Sequence, residues 1–459
     1  MGDSAAALAP SRGAERVAQA SRTERLAWLD ALRGIAALFV VFDHLSYRVL
    51  EPARHAVYQW FDPGQYGVFV FFLVSGYIVP ASLERTGCVR RFWTSRIFRL
   101  YPLYLLAIAG AFALNGLGVG SLRNADQHPF TSVLGHLLML QDLLGVPNVI
   151  DVVWTLSYEM VFYLLLTALL ISGLQQRSAR FALVFAGAAL AAGGLLPTVA
   201  LSRGPLGPQA VAAIADGLVV GGLVLAVTPW RATRAAGALL AGGTALALLS
   251  FNGRVDPWEG FTILALMFTG TVMRRFELGD VRRLATVGIA VAVFALAIVA
   301  GVWHAQASAL AADAQVVAQR RWFSDLALAG ATFVVGMALR RRRVPGPLAW
   351  LGLVSYSVYL LHPLLIEVYG GISWTQRAYP LAIQLSLAAG FLAVLLGCSA
   401  LAYRAVEEPM QRLGRRLASM MEARWGTAAP GLKSSSPGLR TPSPDPGEAR
   451  LVPTTRQPI

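Results

Sequence analysis

Two residues of one apolar segment, Arg33 and His44, have side chains that could bind and react with a substrate inside a membrane. The segment reads LDALRGIAALFVVFDHLSYRVL over residues 29–50. Arg33 and His44 are eleven positions apart, which on an α-helix is three turns and about 16 Å of axial rise, so both side chains lie on nearly the same face. The spacing predicts a helix with a cation near one membrane surface and an imidazole at mid-depth.

His44 is a candidate general base because a neutral imidazole near its natural pKa can take a proton from a hydroxyl group at neutral pH. An ionisable group inside a membrane span is expensive enough to be a functional candidate. A structural histidine that hydrogen-bonds to a neighbouring helix is the alternative. Asp43 precedes His44 but points about 100° away around the helix, and the pattern assigns it no role.

A second basic group lies in the segment RRFWTSRIFRLYPLY, residues 90–104. Arg96 and Arg99 are three residues apart, so they lie on one helical face, just before Tyr101 at a predicted membrane edge. Two guanidinium groups side by side suit a polyphosphate better than a single carboxylate. Anchoring at the cytoplasmic membrane surface, where Lys and Arg are enriched, is the alternative for each arginine, but it does not explain why Arg33 would converge with this pair.

Two later apolar segments carry further polar side chains. One opens with a group of polar and aromatic residues: Trp154, Ser157, Tyr158 and Glu159. Glu159 is the candidate carboxylate to orient or charge-balance the imidazole of His44. The other segment carries His362 among serines and tyrosines, and a structural role and a functional role are equally consistent with its position.

The composition places these residues in a membrane protein. Of the 459 residues, 56% are hydrophobic and only 14% are charged, whereas about a quarter of the residues of ordinary globular domains are charged. The helices must therefore bury their polar groups against one another. The formal net charge of +14 lies on arginines between apolar segments, as in cytoplasmic loops, so it indicates membrane orientation and excludes nucleic acid as the expected partner.

Apolar segments predict an all-α polytopic bundle of about 10–12 membrane spans, with both termini cytoplasmic. The candidate spans are 32–50, 66–83, 100–118, 153–174, 181–200, 210–227, 235–251, 261–273, 284–303, 323–339, 348–369 and 381–403. The segment 133–149 is shorter and broken by polar residues, so we expect it to be interfacial or re-entrant. The bundle is predicted to occupy 28–416, between disordered cytoplasmic tails at 1–27 and 417–459.

Several other kinds of site are not expected. The two cysteines form no metal-ligating pattern with the histidines, so we predict no metal site. Neither a Walker loop, nor a dinucleotide glycine fingerprint, nor a nucleophile elbow occurs. The first 27 residues contain no apolar h-region, so the first span is expected to act as the targeting signal.

Five motifs resemble, in order, those of the integral membrane acyltransferase 3 family. LDALRGIAALFVVFDH resembles its first-helix motif, in which Arg33 and His44 fill the basic and histidine positions. GVFVFFLVSGYIV, RIFRLYPLY, WTLSYEMVFYLL and SYSVYLLHPLL resemble the later motifs, and the ending RAVEEPMQRLGRRL resembles the family's terminus. The family usually has Asp-Gly where Asp30 and Ala31 stand, and an apolar or aromatic residue at the position of Asp43.

The resemblance implies an acyltransferase for groups other than amino-acyl groups, in the inner or only membrane of a bacterium. Acyl-CoA, in the first instance acetyl-CoA, would be the co-substrate, with no permanently bound cofactor. The acceptor would be a hydroxyl group of a surface glycan, a lipopolysaccharide or a glycosylated metabolite. No fused SGNH-type hydrolase domain follows the motifs, so we expect a stand-alone member.

The resemblance also implies roles for individual residues. His44 would activate the acceptor hydroxyl or briefly carry the acyl group, supported by Glu159 or Asp30. The arginines would bind acyl-CoA: Arg33, Arg96 and Arg99. The candidates for binding a substrate are polar or aromatic residues of the same motifs: Ser75, Tyr101, Ser157, Tyr158 and His362.

A secondary transporter or flippase is the alternative function, because about twelve spans and an intramembrane histidine are ordinary features of that class. Two observations favour an acyltransferase over a transporter. The sequence has no visible internal repeat of the kind that builds many transporters, and its paired arginines suit the phosphates of a donor molecule. A third possibility combines the two, with the acyl group crossing the membrane to an acceptor outside. The identities of the acyl group and the acceptor, and the oligomeric state, stay open at this stage.

Overall fold

The computed structural model describes residues 12–120, 122, 129–191, 195–308, 310–371 and 379–425, and their side chains except those of 12–26, 371 and 422–425. Within these ranges the chain forms α-helices and no β-strand. The helices are α1 Arg12–Ser46, α2 Glu51–Tyr58, α3 Pro63–Thr86, α4 Val89–Gly116, α5 Pro129–Leu137, α6 Trp154–Ile171, α7 Ser178–Ala191, α8 Ala200–Arg203, α9 Gly207–Ala226, α10 Arg231–Phe251, α11 Pro257–Glu277, α12 Arg283–Ala307, α13 Ala312–Leu339, α14 Gly346–Leu353, α15 Ser355–Gly371, α16 Leu381–Ala402 and α17 Glu408–Trp425.

Eight helical segments of the described chain are long and apolar enough to cross a membrane, so this is a multi-pass membrane protein with the predicted all-α bundle. They are α3, α4, Asp151–Ile171, α9, α10, α12, α13 and Leu381–Met421. A ninth is formed if α14 and α15, which are bent by 67° relative to each other, act as one broken span.

The predicted number of about 10–12 spans also counted the segments that form α1, α7 and α11. These three segments are helical, but α7 has only 14 residues. Helix α1 carries ionisable residues within its apolar stretch, and in α11 ionisable residues flank the apolar stretch 261–273 on both sides. Most side chains of α11 are buried, and it packs against α3 and α7. Because neighbouring helices surround it, α11 does not need the apolar exterior of a lipid-facing helix.

The segment 133–149 does not span the bundle as a helix, which confirms the prediction. Helix α5 ends at Leu137, and the non-helical residues that follow are largely buried. Side chains from elsewhere bind their carbonyl groups: Asn252 donates to the Leu143 oxygen at 3.0 Å and Ser202 donates to the Leu144 oxygen at 3.1 Å. Buried non-helical backbone is tolerated in a membrane protein when protein groups satisfy it in this way.

Helix α3 has well-defined ends and one very close crossing. Asp62 caps its N-terminus by accepting a hydrogen bond from the Gln65 amide at 3.0 Å, and Gly87 ends it in the left-handed region with a φ of 58°. A Cβ atom added at Gly76 would clash with the Met267 carbonyl of α11. The two backbones therefore touch directly, as small residues allow in membrane helices.

The ordered helices extend past the predicted domain boundaries. Helix α1 begins at Arg12, within the segment 1–27 that was predicted to be a disordered tail, and α17 continues to Trp425, beyond residue 416. The described residues belong to one compact unit. Residues 1–11 and 426–459 lie outside the described residues, so the predictions of disorder there stay predictions, as does the side of the membrane on which the termini lie.

Candidate active site

A cavity between α1, α3, α4, α6 and α15 is lined by three arginines. Arg33 comes from α1, and Arg96 and Arg99 come from successive turns of α4. Glu159 of α6 and Ser75 of α3 lie on the same cavity. The structure thus brings together three predicted donor-binding residues with two other predicted site residues, and we call this space the arginine cavity.

The arginine cavity has an excess of positive charge, because three guanidinium groups face it with the single carboxylate of Glu159. Arg96 is 6% exposed, and its guanidinium carbon lies 5.3 Å from the ring centroid of Tyr163. Its Nε atom is buried and has no hydrogen-bond partner among the described residues. An unsatisfied buried donor on a cationic cavity is a group that an anionic ligand would satisfy.

Glu159 is held in the arginine cavity by two hydroxyl groups. Its Oε1 atom accepts a hydrogen bond from Tyr163, one helical turn away, and lies 3.4 Å from the donating Ser75 hydroxyl. It is also close enough to Arg33 to interact with it electrostatically. The structure therefore places Glu159 as a counter-charge to the arginines.

The two predicted intramembrane histidines contact each other. His362 Nε2 lies 3.4 Å from His44 Nδ1, and the ring centroids are 5.1 Å apart. Each Nδ1 also faces a carbonyl one turn back in its own helix, Val40 at 2.9 Å for His44 and Val358 at 3.0 Å for His362. A carbonyl only accepts, so in the neutral rings both Nδ1 atoms carry the proton and both Nε2 atoms carry the lone pair.

These tautomers make His362 an acceptor for His44. The Nδ1–H group of His44 is shared between Val40 and the Nε2 lone pair of His362, so the basic atom of His44 is Nε2. His362 is 0% exposed, whereas His44 is partly exposed. The arrangement is that of a base oriented by a second group, in which a histidine takes the place of the usual carboxylate.

The predicted carboxylate partners of His44 lie elsewhere. Asp30 precedes His44 by fourteen residues in α1, which is about 21 Å along the helix axis. Asp30 is therefore too far along α1 to contact His44, and its predicted role in supporting His44 stays a prediction. Asp43 is nearer, with its Oδ2 atom 3.9 Å from His44 Nδ1, and it packs against Gly64 in the first turn of α3.

The histidine pair adjoins the arginine cavity through one aromatic residue. Tyr359 lines the cavity, and its ring centroid is 6.1 Å from that of His362. The Tyr359 hydroxyl donates to the Val152 carbonyl at 2.9 Å and lies 2.8 Å from the Thr155 hydroxyl. Tyr359 thus contacts both the arginine cavity and His362, and its hydroxyl group links α15 to the start of α6.

Three predicted substrate-binding residues do not line the arginine cavity. The Tyr101 hydroxyl donates to the Leu137 carbonyl at 2.8 Å. The Tyr158 hydroxyl donates to Asp142 Oδ2, and the Asp142 amide donates to the Ser157 hydroxyl, both at 3.3 Å. Tyr101 thus binds the end of α5, and Ser157 and Tyr158 hold the buried segment 138–150 against α6. Their predicted role in binding a substrate stays a prediction.

Two residues at or near the arginine cavity were not predicted to belong to the site: Tyr356, which lines it, and Glu407, which is close enough to Arg33 to interact with it electrostatically. Tyr356 lines the arginine cavity and donates to the Leu100 carbonyl at 2.9 Å, which fixes α4 beside Arg99. Glu407 lies on a π-helical turn at Tyr403–Glu407, is 3% exposed and accepts a hydrogen bond from Ser357. The signals available in the sequence were the polar seam SYSVY and the acidic pair within RAVEEP.

Comparisons with known proteins agree with this architecture. The acyltransferase 3 family, described as an acyltransferase domain, matches residues 26–403. The chain is 30% identical over 153 residues to the acyltransferase MdmB of Streptomyces mycarofaciens, covering 31% of this chain and 38% of that protein. It is 27% identical over 164 residues to YrhL of Bacillus subtilis, named as a proposed peptidoglycan O-acetyltransferase, covering 32% of this chain and 24% of that protein.

A third relative is ORF330 of Acidianus two-tailed virus, named as a proposed acetyltransferase, with 29% identity over 133 residues, 29% of this chain and 37% of that protein. The alignments span 24–38% of the lengths of these three relatives. No solved structure matches the chain. Because the family match covers most of the sequence, including the arginine cavity and the histidine pair, the chain belongs to the acyltransferase 3 family of integral membrane proteins.

Proposed function

We propose that this protein is an O-acyltransferase of the cell membrane that moves an acetyl group from acetyl-CoA to a hydroxyl group of a glycan or glycosylated acceptor. The observation that carries the proposal is the arrangement of the arginine cavity beside the histidine pair. Arg33 lies on the cavity, and His44 lies about 16 Å further along the same helix. A cationic cavity and a base are thus set apart by a distance that a long donor molecule would bridge.

The donor site is assigned to the arginines because CoA is a polyanion. Planar guanidinium groups bind phosphate oxygens in pairs of parallel hydrogen bonds, and the buried Arg96 Nε has no other described acceptor. Apolar side chains of α3 and α6 line the rest of the arginine cavity: Val68, Phe71, Phe72 and Leu156. They suit the uncharged arm of CoA and the acyl group it carries.

The chemistry follows from the histidine tautomers. His44 Nε2 takes the proton of the acceptor hydroxyl while the hydroxyl oxygen forms a bond to the thioester carbonyl carbon. The carbon–sulfur bond then breaks, the CoA sulfur leaves with the electron pair, and the proton on His44 passes to that sulfur. His362 Nε2 accepts a hydrogen bond from His44 Nδ1, which becomes stronger when His44 is positively charged.

Support for the acceptor class comes from the relatives. One is named as a proposed O-acetyltransferase acting on peptidoglycan, a glycan, and another is named an acyltransferase. We therefore assign this chain a hydroxyl group of a surface glycan, a lipopolysaccharide or a glycosylated metabolite as acceptor. The donor is assigned to acetyl-CoA, which is used as a co-substrate and not as a permanently bound cofactor.

The test is acetyl transfer by the purified full chain in detergent. Labelled acetyl-CoA is mixed with peptidoglycan fragments, lipopolysaccharide or glycosylated metabolites, and we expect an acetyl ester detected by mass spectrometry together with one free CoA thiol per ester. The His44→Ala variant should form both products at least about 100-fold more slowly. If the wild-type protein gives no ester with any acceptor and instead moves a solute across vesicle membranes, the protein is a transporter and the proposal is wrong.

A further inference from the structure

A second cavity lies between the C-terminal parts of α4 and α15 and the turn that precedes α6. Two carboxylates line it, Asp151 from the turn and Glu367 from α15, together with Leu114, Leu364 and Pro363. Both carboxylates are partly exposed. We call this space the carboxylate cavity, and none of the functional roles assigned above uses it.

The two cavities lie on opposite sides of the histidine pair. Along α15, Tyr359 lines the arginine cavity, His362 follows, and Leu364 and Glu367 line the carboxylate cavity. Along α4, Arg99 lines the first cavity and Leu114 the second, a separation of about 22 Å on the helix axis. Two long helices thus lead from the arginines, past the level of the histidines, to the carboxylates.

We propose that the carboxylate cavity binds a sugar ring of the acceptor and delivers its hydroxyl group to the histidine pair from the end opposite to acetyl-CoA. This inference rests on the proposed function and names the part of the protein that recognises the acceptor. Asp151 and Glu367 accept hydrogen bonds from sugar hydroxyl groups, and each ionised carboxylate has two oxygens to do so. Leu114, Leu364 and Pro363 contact the apolar faces of the ring.

The charges of the two cavities explain how two substrates are kept apart. The carboxylate cavity repels the phosphates of CoA, because like charges at close range disfavour binding. The arginine cavity attracts those phosphates, because three guanidinium groups line it.

Cysteine protection tests the binding site without relying on catalysis. Leu114→Cys and Ser75→Cys place a thiol on the carboxylate and arginine cavities, in a background with Cys398→Ser because Cys398 is exposed. The probes are the neutral disaccharide of N-acetylglucosamine and CoA. We expect the disaccharide to slow alkylation of Cys at 114 and CoA to slow alkylation of Cys at 75, with little cross-protection.

Carboxylate variants then test the assigned residues. Asp151→Asn and Glu367→Gln should each raise the disaccharide concentration needed for protection by about 10- to 100-fold, as expected when a charged hydrogen-bond acceptor is lost, while CoA protection at 75 stays unchanged. Asp313→Asn, which changes an exposed carboxylate outside both cavities, is the matched control and should change neither.

The outcomes separate this inference from the proposed function. If the wild-type protein makes no acetyl ester, the proposed function fails, whatever the protection pattern. If an ester forms but the disaccharide does not protect the cysteine at 114, the carboxylate cavity is not the acceptor site. The same conclusion follows if the disaccharide protects the cysteine at 114 equally well in the Asp151→Asn and Glu367→Gln variants.

Discussion

The Nε2 atom of His362 faces the Nδ1 atom of His44 at 3.4 Å, although the two residues are 318 positions apart in the chain. Each ring is held by a carbonyl of its own helix, so the pair keeps its orientation without help from a bound substrate. The basic Nε2 atom of His44 can then point away from His362. In the mechanism that we propose, His44 therefore takes the proton and His362 positions the His44 ring.

Replacing either histidine should affect turnover more than donor binding. We expect His44→Ala to lower kcat by about 100- to 10,000-fold, the range for loss of a general base, and His362→Ala to lower it less, with little change in the KM for acetyl-CoA. The double variant should be no slower than His44→Ala, because His362 acts through His44. Initial rates of CoA release measure this.

His304→Gln is the matched control, since His304 is a histidine of α12 that contacts the Ala189 carbonyl and lies outside the site. It should retain normal kcat. A His362→Ala protein that keeps full kcat, or whose only defect is in the KM for acetyl-CoA, would remove the positioning role.

The arginines should control donor affinity. Arg96→Ala should raise the KM for acetyl-CoA by about 10- to 100-fold, because a charge-assisted hydrogen bond to phosphate is lost. Arg96→Lys should recover only part of the affinity, since an ammonium group cannot form the paired contacts of a guanidinium. Arg341→Ala is the control, because it changes an exposed arginine outside the cavity and should leave the KM for acetyl-CoA unchanged. Equal KM values for Arg96→Ala and Arg341→Ala would show that acetyl-CoA binds elsewhere.

The close crossing of α3 and α11 should be intolerant of a single methyl group. Gly76→Ala and Gly270→Ala each put a Cβ against a carbonyl of the facing helix, and we expect each to lower the free energy of unfolding by about 1–3 kcal/mol or more. Gly288 lies in α12 with open space around it, so Gly288→Ala should raise the free energy of unfolding by up to about 1 kcal/mol. Thermal unfolding in detergent measures the stability of these three variants. Equal stability of Gly76→Ala and Gly288→Ala would show that α3 and α11 lie further apart.

Asp142 should make stability depend on pH. It lies outside the membrane-spanning helices, and burial raises its pKa from 3.8 to about 6, although Arg254 and the Tyr158 hydroxyl oppose the shift. The folded protein then binds the proton more tightly than the unfolded chain, so this contribution to stability is largest below pH 4 and declines as the pH rises towards 6. The decline continues through pH 6, where the folded carboxyl is half protonated, and levels off about one pH unit higher.

Comparing the unfolding temperatures of wild type and Asp142→Asn between pH 4 and 7 measures this contribution. The wild type should lose stability relative to the variant as the pH rises from 4 to 6. The raised pKa of Asp142 would be contradicted if the difference in unfolding temperature between the two proteins did not depend on pH. It would also be contradicted if the wild type gained stability relative to the variant as the pH rises.

Much of this protein could be predicted from local sequence. Apolar length and low charge indicated an all-α membrane bundle, because a chain in lipid must satisfy its backbone hydrogen bonds within helices. The broken segment 133–149 was predicted correctly, since its polar residues, glycine and proline interrupt an apolar run. Helical periodicity also put Arg96 and Arg99 on one face, and the structure places both on one cavity with Arg33.

Tertiary structure decided which of these residues meet. The periodicity of a helix determines which side chains share a face, but it does not determine which face of another helix lies opposite. For that reason the sequence pointed to a carboxylate partner for His44, whereas the packing of α1 against α15 supplies His362. Tertiary packing also places Glu159 among the arginines, and it creates the carboxylate cavity from parts of the chain that are distant in sequence.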